Sequence, residues 1–219
     1  MLDTAIYLGP SLDAAQARAI LRTQYLPPIR RDDLGKLGDE IKTVGIIDGE
    51  FYQSLAVSPK EVLRLLERGV RVFGSSSMGA LRAAETHIYG MVGVGRVFEM
   101  YRDGKIDADD EVALTYDPET YRSMSEPLVN IRCALEGAVA EGVLAQSTAD
   151  EIICETKALY FPYRSYRQAC KVCPEFKGYL QRKKPDQKRD DAILLLQTLA
   201  GVCERPQYSL TVTATFSVL

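Results

Sequence analysis

Short apolar runs separated by longer amphipathic segments mark the first ninety residues of the chain. Buried strands are predicted for Ala5–Leu8, Thr43–Ile47 and Val70–Phe73, because each run is short, apolar and followed by a turn signal. The turn signals are Gly9-Pro10, Asp48-Gly49 and a serine-rich turn from Gly74 to Gly79. Each predicted strand therefore ends in small or polar residues.

The segments after these runs have the spacing of helices. Ser11 or Asp13 can cap a first helix, which we expect to reach about Thr23. The second helix has a strong start, with Ser58 as N-cap and Glu61 at the capping-box position. A third helix is predicted to follow the serine-rich turn and to end near residue 87.

The alternation of strands and helices predicts an α/β fold, with an N-terminal parallel sheet and flanking helices followed by a mainly helical C-terminal region. We expect the α/β core, with the active-site cleft, over residues 1–125 and the helical region over 126–219, which need not be an independent domain. Gly90–Gly95 lacks the preceding strand of a dinucleotide fingerprint and is predicted to be a bend. Ser209–Val218 alternates like a strand whose place in the fold the sequence leaves open.

Composition and charge limit the classes of partner and the cellular compartment that we expect for the chain. The chain has 219 residues, 46% apolar side chains and a net charge of −3, which gives no general case for binding nucleic acid. No signal peptide and no membrane-spanning apolar run are evident, so we predict a cytoplasmic protein with reduced cysteines. The basic stretch from Lys157 to Arg189 is interpreted as a solvated face or, alternatively, as a docking surface for an acidic partner. The sequence leaves a homo-oligomer open.

The carboxyl edge of the predicted sheet gathers the residues that can carry chemistry. In a right-handed β-α-β unit the helix begins at the edge where the strands end. Lys60, in the first turn of the second helix, and Ser77, in the serine-rich turn, should therefore return to the same edge. Gly9, Ser11 and Asp48 end the other two strands there. Ligand sites in open parallel sheets lie at this edge.

The serine-rich turn admits three interpretations: a helix cap, an anion site without chemistry, or a nucleophile. Ser77 has a small residue two positions away on each side, which is the spacing of a strained nucleophile elbow, and Ser76 is the alternative. If Ser77 attacks a substrate, the backbone N–H groups of Met78 and Gly79 are expected to face the oxyanion.

An attacking serine needs a base. His87, the sole histidine, lies ten residues along the helix from Ser77, about 15 Å away, which is too far for this role. A lysine serves as base only when it is neutral, and Lys60 has a position that favours neutrality because the helix dipole disfavours a cation there. Partial burial in the cleft would act in the same direction. Arg82 is expected either to pair with Glu85 or to hold a substrate carboxylate.

Two weaker signals are interpreted as structural. Cys170 and Cys173 have the spacing of a redox pair or of half a zinc site, but no second pair of ligands accompanies them. Asp107–Glu111 is interpreted as an acidic surface turn rather than a cation site. We therefore expect neither a metal nor a cofactor.

Several motifs of the chain point to one known family, and they include Leu8-Gly9-Pro10-Ser11-Leu12, Pro27-Pro28, Gly45-Ile46-Ile47-Asp48-Gly49, Pro59-Lys60-Glu61 and Ser76-Ser77-Met78-Gly79-Ala80-Leu81-Arg82-Ala83-Ala84-Glu85. Together they resemble the TfuA-like family, the accessory proteins that accompany YcaO enzymes in peptide-backbone thioamidation. The resemblance covers roughly residues 5–145. Ser75 stands where the family motif has alanine, and Ser58-Pro59 precedes Lys60 where the family has a histidine next to the lysine.

The resemblance implies a role in sulfur delivery. The family looks like hydrolases that act on the C-terminal thiocarboxylate of a ubiquitin-like sulfur carrier resembling ThiS and so release sulfide for a YcaO-type enzyme. It maps the serine to Ser77, with Ser76 as the alternative, and the lysine to Lys60. The glycine tail of the carrier would enter the cleft, where the small residues nearby are Gly9, Gly49, Ser75 and Gly79. The competing functions are a non-catalytic adaptor that docks the YcaO enzyme, the carrier and the peptide, and a generic Ser–Lys amidase or esterase.

Overall fold

The computed structural model describes residues 3–51 and 55–204, and this part of the chain forms a five-stranded parallel sheet with helices on both faces. The strands are β1 (Thr4–Tyr7), β2 (Gln24–Leu26), β3 (Thr43–Ile46), β4 (Arg71–Ser75) and β5 (Val92–Val94). The helices are α1 (Ala14–Ile20), α2 (Pro59–Glu67), α3 (Met78–Thr86), α4 (Arg96–Arg102), α5 (Leu128–Ala140), α6 (Gln146–Lys157), α7 (Tyr166–Val172), α8 (Pro174–Lys183) and α9 (Gln187–Glu204). Short 3-10 helices lie at Leu34–Lys36, His87–Tyr89, Asp109–Glu111 and Phe161–Tyr163.

The strand order decides where a ligand can enter. The order across the sheet is β2-β1-β3-β4-β5, and every neighbouring pair is parallel. The chain adds β2 on one side of β1 and then adds the remaining strands on the other side. The direction reverses between β1 and β3, and in sheets of this order a crevice opens beyond the carboxyl ends of those two strands.

Helices from both parts of the chain cover the sheet. On one face, Ala17 and Leu21 at the first helix and Leu195 and Leu199 of α9 share a core cluster with Ile6 of β1. On the other face, residues of α2, α3 and α4 pack in a second cluster against β3 and β4. The C-terminal helix α9 therefore belongs to the packing of the sheet. The division of the chain at residue 125 stays a prediction.

The structure confirms the N-terminal parallel sheet and the helical C-terminal region, but two strands were missed. The segment Gly90–Gly95, predicted to be a bend, contains β5, which pairs with β4 through Gly74 opposite Gly93. Gly93 is required there because a side chain would overlap the ring of Phe98. The prediction of a bend was wrong because a three-residue edge strand with a central glycine shows no alternation. The strand predicted at Ser209–Val218 lies outside the described residues.

The helical region has its own core and is bound to the sheet region by buried charges. Helices α5 to α8 share an apolar cluster that includes Cys173. The buried guanidinium of Arg164 donates to the carbonyl and the carboxylate of Asp110, and Arg132 donates to both carboxylate oxygens of Glu111. The acidic stretch 107–111 thus supplies ion pairs to the helical region. Within the described residues, no helix has the length and apolarity needed to cross a membrane.

Candidate functional site

Asp48 joins the loops that follow β1 and β3, at the reversal point of the sheet. Its Oδ2 accepts hydrogen bonds from the backbone N–H groups of Gly9, at 2.9 Å, and Ser11, at 3.0 Å. The Ser11 hydroxyl donates to Oδ1 at 2.6 Å. The carboxylate is buried, and three donors compensate for its loss of water. The structure therefore brings Gly9, Ser11 and Asp48 together, as the sequence predicted.

The serine-rich turn after β4 contains a strained residue. The N–H of Ser77 donates to the carbonyl of Ser75 at 2.7 Å, which closes a γ-turn around Ser76. Ser76 has a φ of 65°, a left-handed value that a residue with a side chain seldom adopts. Its hydroxyl donates to Ser11 Oγ at 2.9 Å. A hydrogen-bonded chain therefore runs from Ser76 through Ser11 to Asp48, and strain of this kind is concentrated at functional sites.

The three consecutive serines have different partners. The Ser75 hydroxyl donates to the carbonyl of Asp191 at 2.9 Å and so fixes β4 to α9. The Ser76 hydroxyl is held by Ser11. The Ser77 hydroxyl has no hydrogen-bond partner among the described residues, although Ser77 is only 3% exposed. Ser77 is therefore the serine of the turn whose hydroxyl is free to meet a substrate.

The N-terminus of α3 offers one of the two N–H groups that the sequence analysis assigned to an oxyanion. The N–H of Gly79 donates to the carbonyl of Ile47 at 3.3 Å, so it is already engaged and this part of the prediction needs correction. The reason is close packing against the end of β3, because a side chain at position 79 would overlap the carbonyl of the neighbouring residue Ile46. The N–H of Met78 has no backbone acceptor outside its own helix among the described residues, and it remains available.

Lys60 lies in a different environment from the one expected. Lys60 lies in the first turn of α2 with an exposed side chain, and it makes no hydrogen bond or ion pair to any residue that the structure describes, Ser77 included. The expected burial of Lys60 is absent because Glu61, Val62 and Leu65 form the buried face of that helix. The pairing of Lys60 with Ser77 stays a prediction.

The guanidinium of Arg82 is bound within the protein. Its Nε donates to the carbonyl of Val57 at 2.7 Å, and its Nη1 donates to Glu85 at 2.6 Å. Of the two roles considered for Arg82, the structure shows the pairing with Glu85. The substrate-binding role of Arg82 stays a prediction.

A cleft of about 440 Å³ opens beside this site. Its wall begins at Gly49, next to Asp48 in the chain, and continues over the segment from Leu114 to Tyr116. Burial, with the Glu50 and Asp48 carboxylates adding to it, raises the pKa of Tyr116 to about 12. The other side is aromatic and apolar, with Met124, Tyr160 and Phe161. The cleft can thus take an apolar or extended chain close to Asp48.

Comparison with known protein families shows to which family the chain belongs. The family model described as TfuA-like protein matches residues 48–165, which is more than half of the 219-residue chain. The chain belongs to the TfuA-like family. Comparison with curated proteins gives no match. Membership indicates a role related to accessory function in thioamidation and an association with a YcaO-type system.

The matched part of this TfuA-like chain holds Asp48, Lys60 and the serine-rich turn, whereas Ser11 and the whole of α9 lie outside it. The sequence analysis missed a residue on α9. Lys188 is 2% exposed, and its Nζ donates to the carbonyl of Val112 at 2.9 Å. Burial lowers the pKa of the Lys188 ammonium, and Asp48 is the carboxylate that opposes this most strongly.

A signal for Lys188 was present in the sequence. Lys188 stands four residues before Ala192 and seven before Leu195, so it has the phase of the apolar face of α9. Lys188 also lies near the end of the basic stretch Lys157–Arg189. Because a run of charges is typical of a solvated face, the burial of Lys188 was not predicted. Arg164, in the same stretch, is also buried.

Proposed function

We propose that this TfuA-like protein hydrolyses the C-terminal thiocarboxylate of a small sulfur-carrier protein and so supplies sulfide to a YcaO-type enzyme that thioamidates a peptide backbone. The observation that carries the proposal is the free hydroxyl of Ser77 at the N-terminus of α3, beside a strained turn that Ser11 and Asp48 hold in place. The adjoining cleft has room for the extended tail of a carrier. The positive end of a helix favours the negative charge of a thiocarboxylate.

The reaction has two acyl-transfer steps. The Ser77 oxygen attacks the acyl carbon, an ester to Ser77 forms, the carbon–sulfur bond breaks, and the serine proton passes through a base to the departing sulfide, which leaves as HS⁻. Water then hydrolyses the ester, which gives the carboxylate of the carrier and restores the serine. The N–H of Met78 is the donor available to the developing oxyanion. Lys60 is the base in this proposal.

The experiment measures sulfide released from a thiocarboxylated carrier. Ser77→Ala is expected to lower the rate about 10³-fold or more, since loss of a serine nucleophile removes the covalent route. Lys60→Ala is expected to lower it about 10²-fold or more, which is the usual size for a general base. The matched controls are Ser147→Ala and Lys105→Ala, which change exposed side chains of the same two types. Undiminished release by Ser77→Ala would overturn the catalytic proposal.

The second candidate is an adaptor that holds the carrier without chemistry. Two observations favour it: Ser77 is almost fully buried, and Lys60 makes no contact with it. The aromatic wall of the cleft, with Tyr116 and Tyr160, would then serve binding alone. An adaptor binds the carrier as tightly after Ser77→Ala as before, and it releases no sulfide in either form. Measurement of carrier binding beside sulfide release separates the two candidates.

A further inference from the structure

Arg82 connects α3 to the chain segment that leads into α2. It lies five residues after Ser77, about 7.5 Å along the helix axis, and its side chain is buried. Its Nε donates to the carbonyl of Val57 at 2.7 Å, and Val57 stands directly before Ser58, the N-cap of α2. A hydrogen bond from a charged donor is stronger than one between neutral groups. Arg82 therefore holds the start of α2 against the helix that begins at the serine-rich turn.

Glu85 fixes the direction of the Arg82 guanidinium. The two residues are three positions apart on α3, and Nη1 of Arg82 donates to Glu85 Oε2 at 2.6 Å. Because the guanidinium is planar and its donors have a fixed geometry, this ion pair leaves Nε directed at Val57. The first residues of α3 are fixed in turn, since the Gly79 N–H donates to the carbonyl of Ile47 after β3. The Val57 carbonyl is thus held by a rigid part of the molecule.

The position of Val57 sets the position of Lys60. Val57 and Val62 are both fully buried in the same core cluster, at the positions of a hydrophobic staple, which fixes the angle at which the chain enters a helix. Between them, the Glu61 carboxylate accepts from the N–H and the hydroxyl of Ser58 and closes the first turn. Lys60 lies inside this turn. Since no described residue binds its ammonium group, the reach of Lys60 toward the serine site depends on where its backbone is held.

We propose that Arg82 is a positioning residue of the serine site, which holds the first turn of α2 where Lys60 can reach Ser77. This inference rests on the proposed function where it concerns activity, because it takes Lys60 as the base. The hold of Arg82 on α2 can also be measured without any activity. In this role Arg82 acts through Lys60, whereas an arginine that binds a substrate carboxylate acts on the substrate directly. The two roles give different kinetics.

The first test is a double-mutant cycle on sulfide release, with Arg82→Met, Lys60→Ala and the variant that carries both changes. Arg82→Met is expected to lower kcat about tenfold or more and to change KM less than about twofold, since a displaced base slows the chemical step without weakening substrate binding. In the Lys60→Ala background, Arg82→Met should lower kcat less than about twofold, because no base remains to be placed. The matched control is Arg64→Met, which removes an equal charge from an exposed position of α2 and should leave both parameters unchanged.

Two outcomes of the cycle would overturn the inference. A loss by the same factor in both backgrounds shows a merely structural role of Arg82. A rise in KM that persists in the Lys60→Ala background assigns Arg82 to substrate binding instead. If Arg82→Met does not fold, Glu85→Ala takes its place in the cycle, since it removes the ion pair that directs the guanidinium and keeps the donor to Val57. Glu85→Ala should lower kcat about threefold, and only when Lys60 is present.

The second test follows amide hydrogen exchange in residues 56–62. Arg82→Met should speed the exchange of the N–H groups in the first turn of α2 about tenfold or more and leave α5 unchanged, because the lost hydrogen bond frees the start of α2 alone. Arg64→Met should exchange like the wild type. Unchanged exchange in this turn, or an equal increase in α5, overturns the inference. If the wild type releases no sulfide, the proposed function fails, while the exchange still decides whether Arg82 holds the start of α2.

Discussion

Single residues set the distance between the serine-rich turn and the sheet, and Gly79 is the tightest of them. A side chain at this position would overlap the Ile46 carbonyl and crowd Gly74, and both of these obstacles are backbone. We expect Gly79→Ala to lower the free energy of unfolding by about 1–3 kcal/mol or more, the usual cost of overpacking. Urea unfolding measures this change in the free energy of unfolding. Gly35→Ala is the control, since nothing lies within 4 Å of its added carbon, and it should change stability by less than about 0.5 kcal/mol. Equal effects of the two substitutions would contradict this account of Gly79.

The serines of the serine-rich turn show how much of the candidate site could be predicted from the sequence. The end of each strand was visible as a turn signal, so the gathering of Ser11, Asp48 and the serine-rich turn at one edge was predictable. The separate roles of Ser75 and Ser76 were not, because their partners lie 116 and 65 positions away in the chain. Lys188 was hidden for a related reason, since its burial depends on how α9 packs on the sheet.

At the scale of elements, α2 depends on the carboxylate of Glu61. This side chain accepts from the N–H of Ser58 at 2.8 Å and from the N–H of Asp32 at 2.6 Å, so it caps the helix and anchors a loop together. Glu61→Ala should lower the free energy of unfolding by about 1–3 kcal/mol, because two N–H groups lose their acceptor. Thermal unfolding measures this loss of stability. Glu67→Ala, an exposed change at the C-terminal end of the same helix, should be neutral or slightly stabilising, since a negative charge there opposes the helix dipole. A larger loss in Glu67→Ala than in Glu61→Ala would contradict the capping role.

Strands and helices were predictable where the hydrophobic pattern and the turn or capping residues at its ends indicated the same element. Strands β1, β3 and β4 are short buried runs with clear turn signals, and α2 has its capping residues in place, so their sequence patterns sufficed. The edge strands β2 and β5 have three residues each and are only partly buried. Such strands form because the backbone of the adjacent strand offers hydrogen-bond partners. Their own residues therefore show no recognisable strand pattern.

At the scale of the whole molecule, the junction between the sheet region and the helical region holds a carboxyl group with a shifted pKa. Glu126 lies two residues before the start of α5, its N–H donates to the carbonyl of Arg164, and its Oε1 accepts from Asn130 at 2.8 Å. Burial raises the pKa of Glu126 from 4.5 to about 7, and Asp186 adds to this, while Asn130 and Lys188 oppose it. The folded protein therefore prefers Glu126 in its neutral form.

This shift predicts how stability changes with pH. Because the pKa of Glu126 is higher in the folded state, its contribution to stability is complete below pH 4.5 and is lost as pH rises through about 7. Glu126→Gln keeps the polar side chain but removes the ionisation, so its free energy of unfolding should fall less between pH 5 and pH 8 than that of the wild type, by about 1–3 kcal/mol. Urea unfolding at the two pH values measures the difference. Glu119→Gln, an exposed change, should follow the wild type. A variant at Glu126 that loses as much stability as the wild type over this range would show that its carboxyl group is ionised in the folded protein already at pH 5.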